Sequence, residues 1–205
     1  MPIRSTDVEA REGGPGPPGR APTDRVKPSG ERVRELVDRA VEGDAEAFGG
    51  LYDLFADDLY RYFYAHLSSY HDAEDLVSRT FMRAWRAIGS FKWKGRPFEA
   101  WLFTLARNQL TDFHRERRNN LTTLDDARPD GRPGPEAVAL SAAAARETRE
   151  ALQKLTEEQR QVLVLKFFLE RDNREIAAIM GKREGTVRAL QMRALQALKR
   201  QLRDA

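Results

Sequence analysis

Residues 172–198 read DNREIAAIMGKREGTVRALQMRALQAL, and this stretch decides the fold of the second half of the chain. Asp172 and Glu175 have the spacing of a capping box at the start of a short helix. Gly181 is the residue type that commonly ends a helix in the left-handed conformation. A last helix over 186–202 is expected to follow after a four-residue turn. A short helix, a glycine turn and a longer basic helix have the proportions of a helix–turn–helix.

The last helix, entered through a turn over 182–185, is expected to carry its polar side chains outward, where the major groove of a DNA duplex would meet them. Arg188 has the donors to read guanine, Glu184 can accept from cytosine, and the two cations of the turn can hold phosphates. The candidate duplex-binding residues are Lys182, Arg183, Glu184, Thr186, Arg188, Ala189, Met192 and Arg193. The opposite face is expected to bury Val187, Leu190, Ala194, Leu195 and Leu198. An ordinary helical hairpin with a solvated basic face is the alternative interpretation.

Upstream of this pair, Thr156 and Gln159 have the spacing of a second capping box, before the apolar run 162–169. An alanine-rich segment near 136–153 is also predicted to be helical.

The first half of the chain repeats apolar residues at spacings of three and four, which is the period of an amphipathic helix. One such face spans 73–88, and Asp72 is expected to cap that helix, with Asp75 at the third position. Similar faces lie at 48–66 and 98–113. No segment alternates polar and apolar residues for long, so no sheet is expected. The predicted fold class is all-α, with two small helical domains joined by a flexible linker.

Two breaks set the domain boundaries. Residues 1–30 contain five Gly and six Pro and few large apolar residues, so they are predicted to be a disordered tail. The run RPDGRPGP at 128–135 indicates a linker, which we extend over 119–140. The predicted domains are therefore 31–118 and 141–205.

The loop SFKWKGRP at 90–97 alternates aromatic and cationic residues, a composition typical of sites that bind single-stranded nucleic acid. For Phe91 we expect packing against the core. For Trp93 base stacking and core packing are equally weighted. The following helix carries polar and basic residues beside its apolar face. The candidate single-strand contacts from loop and helix are Lys92, Trp93, Lys94, Arg96, Arg107, Asn108, Asp112 and Arg115.

Composition and charge narrow the function classes. The 205 residues carry a net charge of +3, but 79–118 sum to +7 and 182–203 to +6, whereas 53–75 sum to −5. Two separate basic blocks favour two contacts with a polyanion. The chain has no Cys, no secretory signal and no apolar run of membrane-spanning length, so we expect a cytoplasmic protein without disulfides or membrane insertion. No catalytic motif, metal site or cofactor motif is found, and no cofactor is expected.

Two blocks of sequence resemble a known family. DAEDLV (72–77), TFMRAWR (80–86) and GRPFEAWLFTLARNQLTDFHRERR (95–118) are similar to the N-terminal domain of bacterial extracytoplasmic-function (ECF) sigma factors. LTEEQRQVLVLKFF (155–168), EIAAIMG (175–181) and GTVR (185–188) are similar to their C-terminal domain. The two blocks occur in the order and spacing of the family.

The resemblance implies a promoter-specificity subunit that has no catalytic site of its own. Such a protein binds core RNA polymerase, recognises promoter DNA as a duplex at the −35 element and as melted DNA at the −10 element, and assists melting. The resemblance assigns helix 72–88 to the polymerase, loop 90–97 with helix 98–118 to the −10 element, and helix 186–202 to the −35 element. The implied polymerase contacts are Asp72, Glu74, Asp75, Leu76, Arg79, Phe81 and Arg83. An anti-sigma partner is also implied.

The chain departs from the family pattern at three points. Ser78-Arg79 replaces a common Gln-Glu, and Arg183 stands where a Ser often caps the recognition helix. Within that helix, Leu190-Gln191 replaces the more usual order of a basic and then an apolar residue. Two other functions remain open. One is a free-standing helix–turn–helix regulator that binds duplex DNA without polymerase. The other is a helical metal-dependent hydrolase that uses carboxylates of 53–75 with His66 and His71.

Overall fold

A computed structural model describes residues 29–120, 147–148 and 150–203 of the chain. Every regular element in these ranges is helical, in agreement with the predicted all-α class. The first domain contains α1 (Gly30–Val41), α2 (Ala45–Leu67), α3 (Tyr70–Ala87), a 3₁₀ turn (Ile88–Ser90) and α4 (Phe98–Asn120). The second contains α5 (Glu157–Leu163), which widens into a π-helical turn (Val164–Phe168), α6 (Asn173–Met180) and α7 (Glu184–Arg203).

The predicted boundaries fall partly outside the described residues. Residues 1–28 of the predicted tail lie outside them, whereas its last two residues, Ser29 and Gly30, are the N-cap and the first residue of α1. Helix α4 extends through Asn120, and 121–146 of the predicted linker and following helix are not described. Of the alanine-rich segment, residues 147–148 and 150–153 are described, and they are helical.

The prediction that Asp72 caps α3 is wrong. The helix begins at Tyr70, and Ser69 is its N-cap, because Oγ of Ser69 accepts a hydrogen bond from the backbone N–H of Asp72 at 3.3 Å. Asp72 is thus the third residue of the first turn, where its negative charge still favours the helix dipole. Ser69 and Asp72 have the S-x-x-D spacing of a helix start, three residues before the predicted pair Asp72 and Asp75.

The two capping boxes predicted for the second domain are confirmed. Oγ1 of Thr156 accepts from the N–H of Gln159, and the Gln159 side chain accepts from the N–H of Thr156. Asp172 and Glu175 make the same reciprocal pair, with distances of 2.8 and 2.7 Å. Gly181 ends α6 with φ of 64°, in the left-handed region where a side chain would be strained.

The predicted start of the last helix is two residues late. Helix α7 begins at Glu184, and the backbone N–H of Val187 already donates to the carbonyl oxygen of Arg183. Arg183 therefore occupies the N-cap position, and the turn is shorter than 182–185. Val187, Leu190 and Ala194 are buried as expected. Leu195 is wrongly predicted to be buried, since 41% of it is exposed, and Leu198 is only partly buried.

Helices α2 and α3 form an antiparallel pair that builds the first domain. Phe48 near the start of α2 contacts Trp85 near the end of α3, and Tyr64 contacts Tyr70 at the opposite end. Helix α4 packs against both, and Phe103 meets Tyr62 edge-to-face. The apolar faces predicted at 48–66, 73–88 and 98–113 supply most of this core.

The second domain packs directly on the first. Helix α4 lies against α6, and α2 lies against the π-helical turn. The buried residues of both domains form one continuous cluster. The polar groups at this junction are described with the site below.

Candidate nucleic-acid interface

Helix α7 presents the predicted duplex-binding residues to solvent. Its outward face carries Arg188 and Met192. The side chain of Arg188 is 67% exposed, and Met192 as a residue is 60% exposed. The Arg188 guanidinium pairs with the Glu184 carboxylate at 3.6 Å, an exposed i, i+4 pair that is easily exchanged for a DNA contact. Also exposed are Arg183, Thr186, Ala189 and Arg193. The face is thus free, basic and helical, as groove binding requires.

Lys182 differs from the other predicted duplex-binding residues because it forms an ion pair with a residue of α5. Its Nζ lies 2.7 Å from Oε1 of Glu158 on α5, and its side chain is only 25% exposed. Its backbone N–H donates to the carbonyl oxygen of Ala177 across the turn. Lys182 therefore braces the turn between α6 and α7, and a phosphate would have to compete with Glu158 for its ammonium group.

The loop between α3 and α4 forms a basic basin. Lys92, Lys94 and Arg96 line an open depression of about 650 Å³ together with the rings of Phe91 and Trp101 and with Ser90. Phe91 packs edge-to-face on Phe98 and Trp101, so its predicted place on the core is confirmed. Three cations beside two rings are the combination that holds phosphates and stacks bases.

Trp101 is a basin residue that the sequence pattern assigned to the core. Its ring is half-buried and faces the same depression as the three cations. The 3.6-residue period places it at the edge of the apolar face of α4, and periodicity does not distinguish an edge residue from a core residue.

Trp93 is docked on α1 in this structure. Its Nε1 donates a hydrogen bond to Oδ1 of Asp38 at 2.7 Å. The Arg34 guanidinium lies 5.3 Å from the ring centre, within cation–π range, and Phe91 meets the ring edge-to-face. Of the two interpretations left open for Trp93, the structure shows the packed one. Base stacking would require this contact to open.

Many of the predicted polymerase and −10 residues take part in ion pairs, some between α3 and α4 and some within one of these helices. The Arg83 guanidinium lies 3.8 Å from Oδ2 of Asp112, which Arg115 also contacts at 3.2 Å. Arg117 of α4 lies 3.8 Å from the carboxylate of Asp72, and Arg79 binds Asp75 at 2.8 Å. These pairs are at least partly exposed, so each contributes little to stability and can rearrange around a partner.

Two of the residues that the resemblance assigns to the polymerase lie in the core of the first domain. Leu76 is fully buried and Phe81 is 4% exposed, so both hold α3 against the core. The large apolar residues that α3 and the neighbouring α2 expose are Met82, Trp85, Tyr52 and Tyr70, at 55%, 41%, 40% and 39%. The apolar face of α3 is wider than its core, and the sequence pattern did not indicate which edge stays outside.

The second half of α4 is partly covered by the second domain. Oγ1 of Thr111 lies 3.4 Å from Oε1 of Glu157 on α5. Burial, with the nearby positive charge of Arg160, lowers the pKa of His114. Arg107 is half-buried, whereas Asn108 and Arg115 remain exposed. The predicted −10 face is therefore only partly open in this arrangement.

A buried polar junction connects the two domains. The carbonyl oxygen of His66, near the end of α2, accepts hydrogen bonds from Nε2 of Gln153 at 2.5 Å and Nη1 of Arg160 at 3.4 Å. Arg171 is 5% exposed and binds the carboxylates of Asp58 and Glu99, with 2.7 Å to Oε1 of Glu99. Gln153, Arg160, Arg171 and Glu99 were not singled out from the sequence as a junction, because the signal lies in spatial proximity alone.

The histidines do not form the site that the hydrolase alternative requires. His66 is 1% exposed, and its Nδ1 lies 2.8 Å from the carbonyl oxygen of Tyr62. Burial lowers the pKa of His66 to about 3, so the ring is neutral. His71 is exposed at the start of α3. Within residues 29–120, 147–148 and 150–203, no three His, Asp or Glu side chains are grouped as metal ligands. None of the helices in these ranges has the length and apolar character needed to cross a membrane.

Comparison with known proteins links both domains to one family. The sequence matches the family models for Sigma-70 region 2 over residues 51–120 and Sigma-70, region 4 over residues 145–198. It is 39% identical to the ECF RNA polymerase sigma factor BldN of Streptomyces coelicolor over 176 residues, which cover 84% of this chain and 67% of BldN. It is 30% identical to the ECF RNA polymerase sigma factor SigW of Bacillus subtilis over 184 residues, covering 84% of this chain and 97% of SigW.

Two solved structures share the fold. CnrH, in complex with the cytosolic domain of CnrY, superposes with a TM-score of 0.65 at 27% identity, covering 84% of this chain and 98% of CnrH. The sigma factor RpoE of Bartonella quintana, in complex with the anti-sigma factor NepR, gives a TM-score of 0.62 at 27% identity and covers 78% of this chain and 98% of RpoE. With both sigma-70 regions matched in order, each within one of the two helical domains, and with relatives 39% and 30% identical, this chain belongs to the ECF sigma factor family.

Proposed function

We propose that this chain is the promoter-specificity subunit of a bacterial RNA polymerase, with no catalytic site of its own. It binds the core enzyme through α3, the melted −10 element through the basin and α4, and the duplex −35 element through α7. The observation that carries the proposal is the pairing of two different DNA surfaces in one chain. One is a free basic helix in a helix–turn–helix, and the other is an aromatic and cationic basin in a separate domain.

The duplex surface supports −35 recognition. Arg188 and Met192 lie four residues apart on the exposed face of α7, and α7 packs against the capped α6. A free-standing regulator would have the same surface, so α7 alone does not separate the two functions.

The basin supports −10 recognition and separates them. Duplex DNA offers no unstacked base to a ring, so a basin with Trp101 and Phe91 between three cations is of use only with single-stranded DNA. A regulator that binds only duplex DNA has no need of it.

The polymerase surface is proposed on the exposed side of α3. Glu74 is exposed there, Asp72 and Arg83 pair with residues of α4, and Asp75 pairs with Arg79 within α3. Met82 and Trp85 add exposed apolar surface to this side, although neither is among the polymerase contacts that the resemblance implies. Aromatic and methionine side chains are enriched at the centres of protein interfaces.

We also propose an anti-sigma protein as a regulatory partner and the cytoplasm as the location. The neighbours CnrH and RpoE were solved in complex with CnrY and with the anti-sigma factor NepR, and they share this fold. Core polymerase and promoter DNA are the other proposed partners.

The test is binding to purified core RNA polymerase, followed by run-off transcription on a library of genomic fragments. We expect a stable complex and transcripts that start at a shared promoter sequence. Met82→Ala with Trp85→Ala should weaken the complex about tenfold or more, whereas Phe167→Ala, which removes an equally exposed ring from the second domain, is the control for lost apolar surface.

Binding to duplex DNA without binding to core polymerase, in a preparation free of any anti-sigma protein, would favour the free-standing regulator. Equal effects of the α3 variant and the control would move the polymerase surface elsewhere.

A further inference from the structure

We infer that the two domains hold each other in a closed form through a clasp, and that this form occupies part of the −10 surface until the clasp opens. The clasp consists of Arg171 with Asp58 and Glu99, together with two contacts in which each domain caps a helix end of the other. The inference rests on the proposed function, because it concerns the regulation of the same −10 surface.

The ionic part of the clasp is buried. Arg171 lies in the loop before α6, directly after Glu170, whose φ of 54° turns the chain there. Its guanidinium contacts Asp58 of α2 and Glu99 of α4, whose side chains are only 18% and 17% exposed. A buried guanidinium that loses its carboxylates is left as an uncompensated charge. The triad therefore favours the closed form over arrangements in which Arg171 stays buried but no longer contacts Asp58 and Glu99.

In the first helix-end contact, the first domain caps the second. Nη2 of Arg96 donates to the carbonyl oxygen of Ala178 at 2.8 Å. Ala178 is in the last turn of α6, where the carbonyl groups have no partner within the helix, and a cation there also matches the helix dipole. Arg96 is a residue of the basin, so the closed form uses a side chain that we assign to DNA.

In the second contact, the second domain caps the first. Gln153 and Arg160 both donate to the carbonyl oxygen of His66 in the last turn of α2. Arg160 is further fixed by the carbonyl oxygens of Leu152, Gln153 and Leu155, so it reaches the first domain from a rigid position.

The closed form is incompatible with simultaneous contact to both promoter elements. Helices α4 and α6 touch, so the two DNA surfaces belong to one compact body. Elements named −10 and −35 are about 25 base pairs apart, or roughly 85 Å of B-DNA at about 3.4 Å per pair. A compact body of this chain's size has a radius of gyration of roughly 16 Å, so it is much shorter than that span. The domains must therefore separate before both elements are bound, and every clasp contact breaks when they do.

The first experiment measures the distance between the domains. The chain has no native Cys, so Asp53→Cys and Gln196→Cys, both at exposed positions, allow spin labels to be placed in α2 and α7. We expect one short, narrow distance distribution in the free full-length chain and a longer distance in complex with core polymerase. The double variant Asp58→Asn, Glu99→Gln should broaden the distribution in the free chain.

The second experiment measures access to the −10 surface. The probe is a fluorescent single-stranded DNA of random sequence, because ring stacking tolerates any base. The double variant is expected to bind it about tenfold more tightly than the control Glu42→Gln, Glu46→Gln. That control removes the same charge from exposed positions outside the clasp. If the double variant is unfolded by circular dichroism, Gln153→Ala, which removes one capping donor, serves instead and should shift both measurements in the same direction.

The inference is wrong if the double variant has the same distance distribution in the free chain as the unmodified protein. It is also wrong if the double variant and the control bind the probe with equal affinity. If core polymerase binding and run-off transcription are intact in that case, the proposed function stands alone. If the distances behave as expected but no polymerase complex forms, the clasp stands and the proposed function fails.

Discussion

Nε1 of Trp93 donates a 2.7 Å hydrogen bond to Oδ1 of Asp38, a residue 55 positions earlier in the chain. This contact holds the Trp93 ring on α1, with Arg34 over its face. The loop that carries it also lines the basic basin. We therefore expect the ring to act only after DNA bases become unstacked and compete for it.

Trp93→Ala is expected to reduce the yield of melted promoter about tenfold and to leave binding to duplex −35 DNA unchanged. The physical reason is the loss of one base–ring stack, worth about 1–3 kcal/mol. Permanganate footprinting of unpaired thymines measures the melting. Trp93→Phe should retain most of it, and Asp38→Ala, which frees the ring without removing it, should not reduce it. An equal loss of melting and duplex binding would contradict the stacking role.

Arg188→Ala is expected to weaken discrimination at one position of the −35 element by about 1–3 kcal/mol, the value of a bidentate contact between arginine and guanine. Competition binding against −35 duplexes with each base substituted in turn is the measurement. Arg32→Ala on α1 removes the same charge from an exposed residue far from α7. If both variants lower affinity equally for every sequence, Arg188 contacts the phosphate backbone only.

Ser69→Ala is expected to lower the free energy of unfolding by about 1 kcal/mol, because it removes the side-chain acceptor that caps α3. Urea denaturation is the measurement. The slope of the unfolding free energy against urea concentration should be the same as in the unmodified protein. Asp72→Ala should cost less, since it removes only an exposed ion pair and a favourable dipole contact. A larger effect of Asp72→Ala than of Ser69→Ala would restore Asp72 as the residue that starts the helix.

Stability is expected to fall as the pH drops below about 6.5, the ordinary pKa of histidine. Burial lowers the pKa of His66 to about 3 in the folded protein, so the unfolded chain takes up the proton first. The stabilisation is thus complete above the unfolded pKa and is lost towards the folded one, by up to about 1.4 kcal/mol per pH unit. His114 contributes in the same direction, because its pKa is also lowered.

Urea denaturation between pH 7.5 and 5 measures this dependence. His66→Gln should flatten it substantially, whereas His71→Gln, at an exposed position, should leave the slope of the unmodified protein. A slope that survives in the double variant His66→Gln, His114→Gln would assign the pH dependence to other groups.

The starts of α5 and α6 could be predicted because capping is local. Thr156 with Gln159 and Asp172 with Glu175 satisfy backbone groups within one turn, and Gly181 supplies a left-handed residue wherever it stands. The same physics explains the error at α3. Two polar residues three apart occur in two overlapping frames there, and only the backbone decides that Ser69, not Asp72, begins the helix.

The apolar period determined the helices but not their exposed edges. Leu76 and Met82 both fit a helix with a broad apolar face, yet one is fully buried and the other is 55% exposed. Which edge is covered depends on where the neighbouring helix lies, and that position is absent from the sequence of α3 itself. The polymerase surface implied by the resemblance therefore contained Leu76 and Phe81, which belong to the core.

The sequence by itself determined an all-α chain of two domains, the helix–turn–helix and the basic character of both candidate DNA surfaces. Each of these depends on residues within a few turns of one another. The tertiary structure alone decided the docking of Trp93, the contact of Arg96 with Ala178 and the triad around Arg171. These contacts join residues 55, 82 and 113 positions apart. Such pairs leave no local pattern, because an arginine or tryptophan has the same short-range preferences whether its distant partner exists or not.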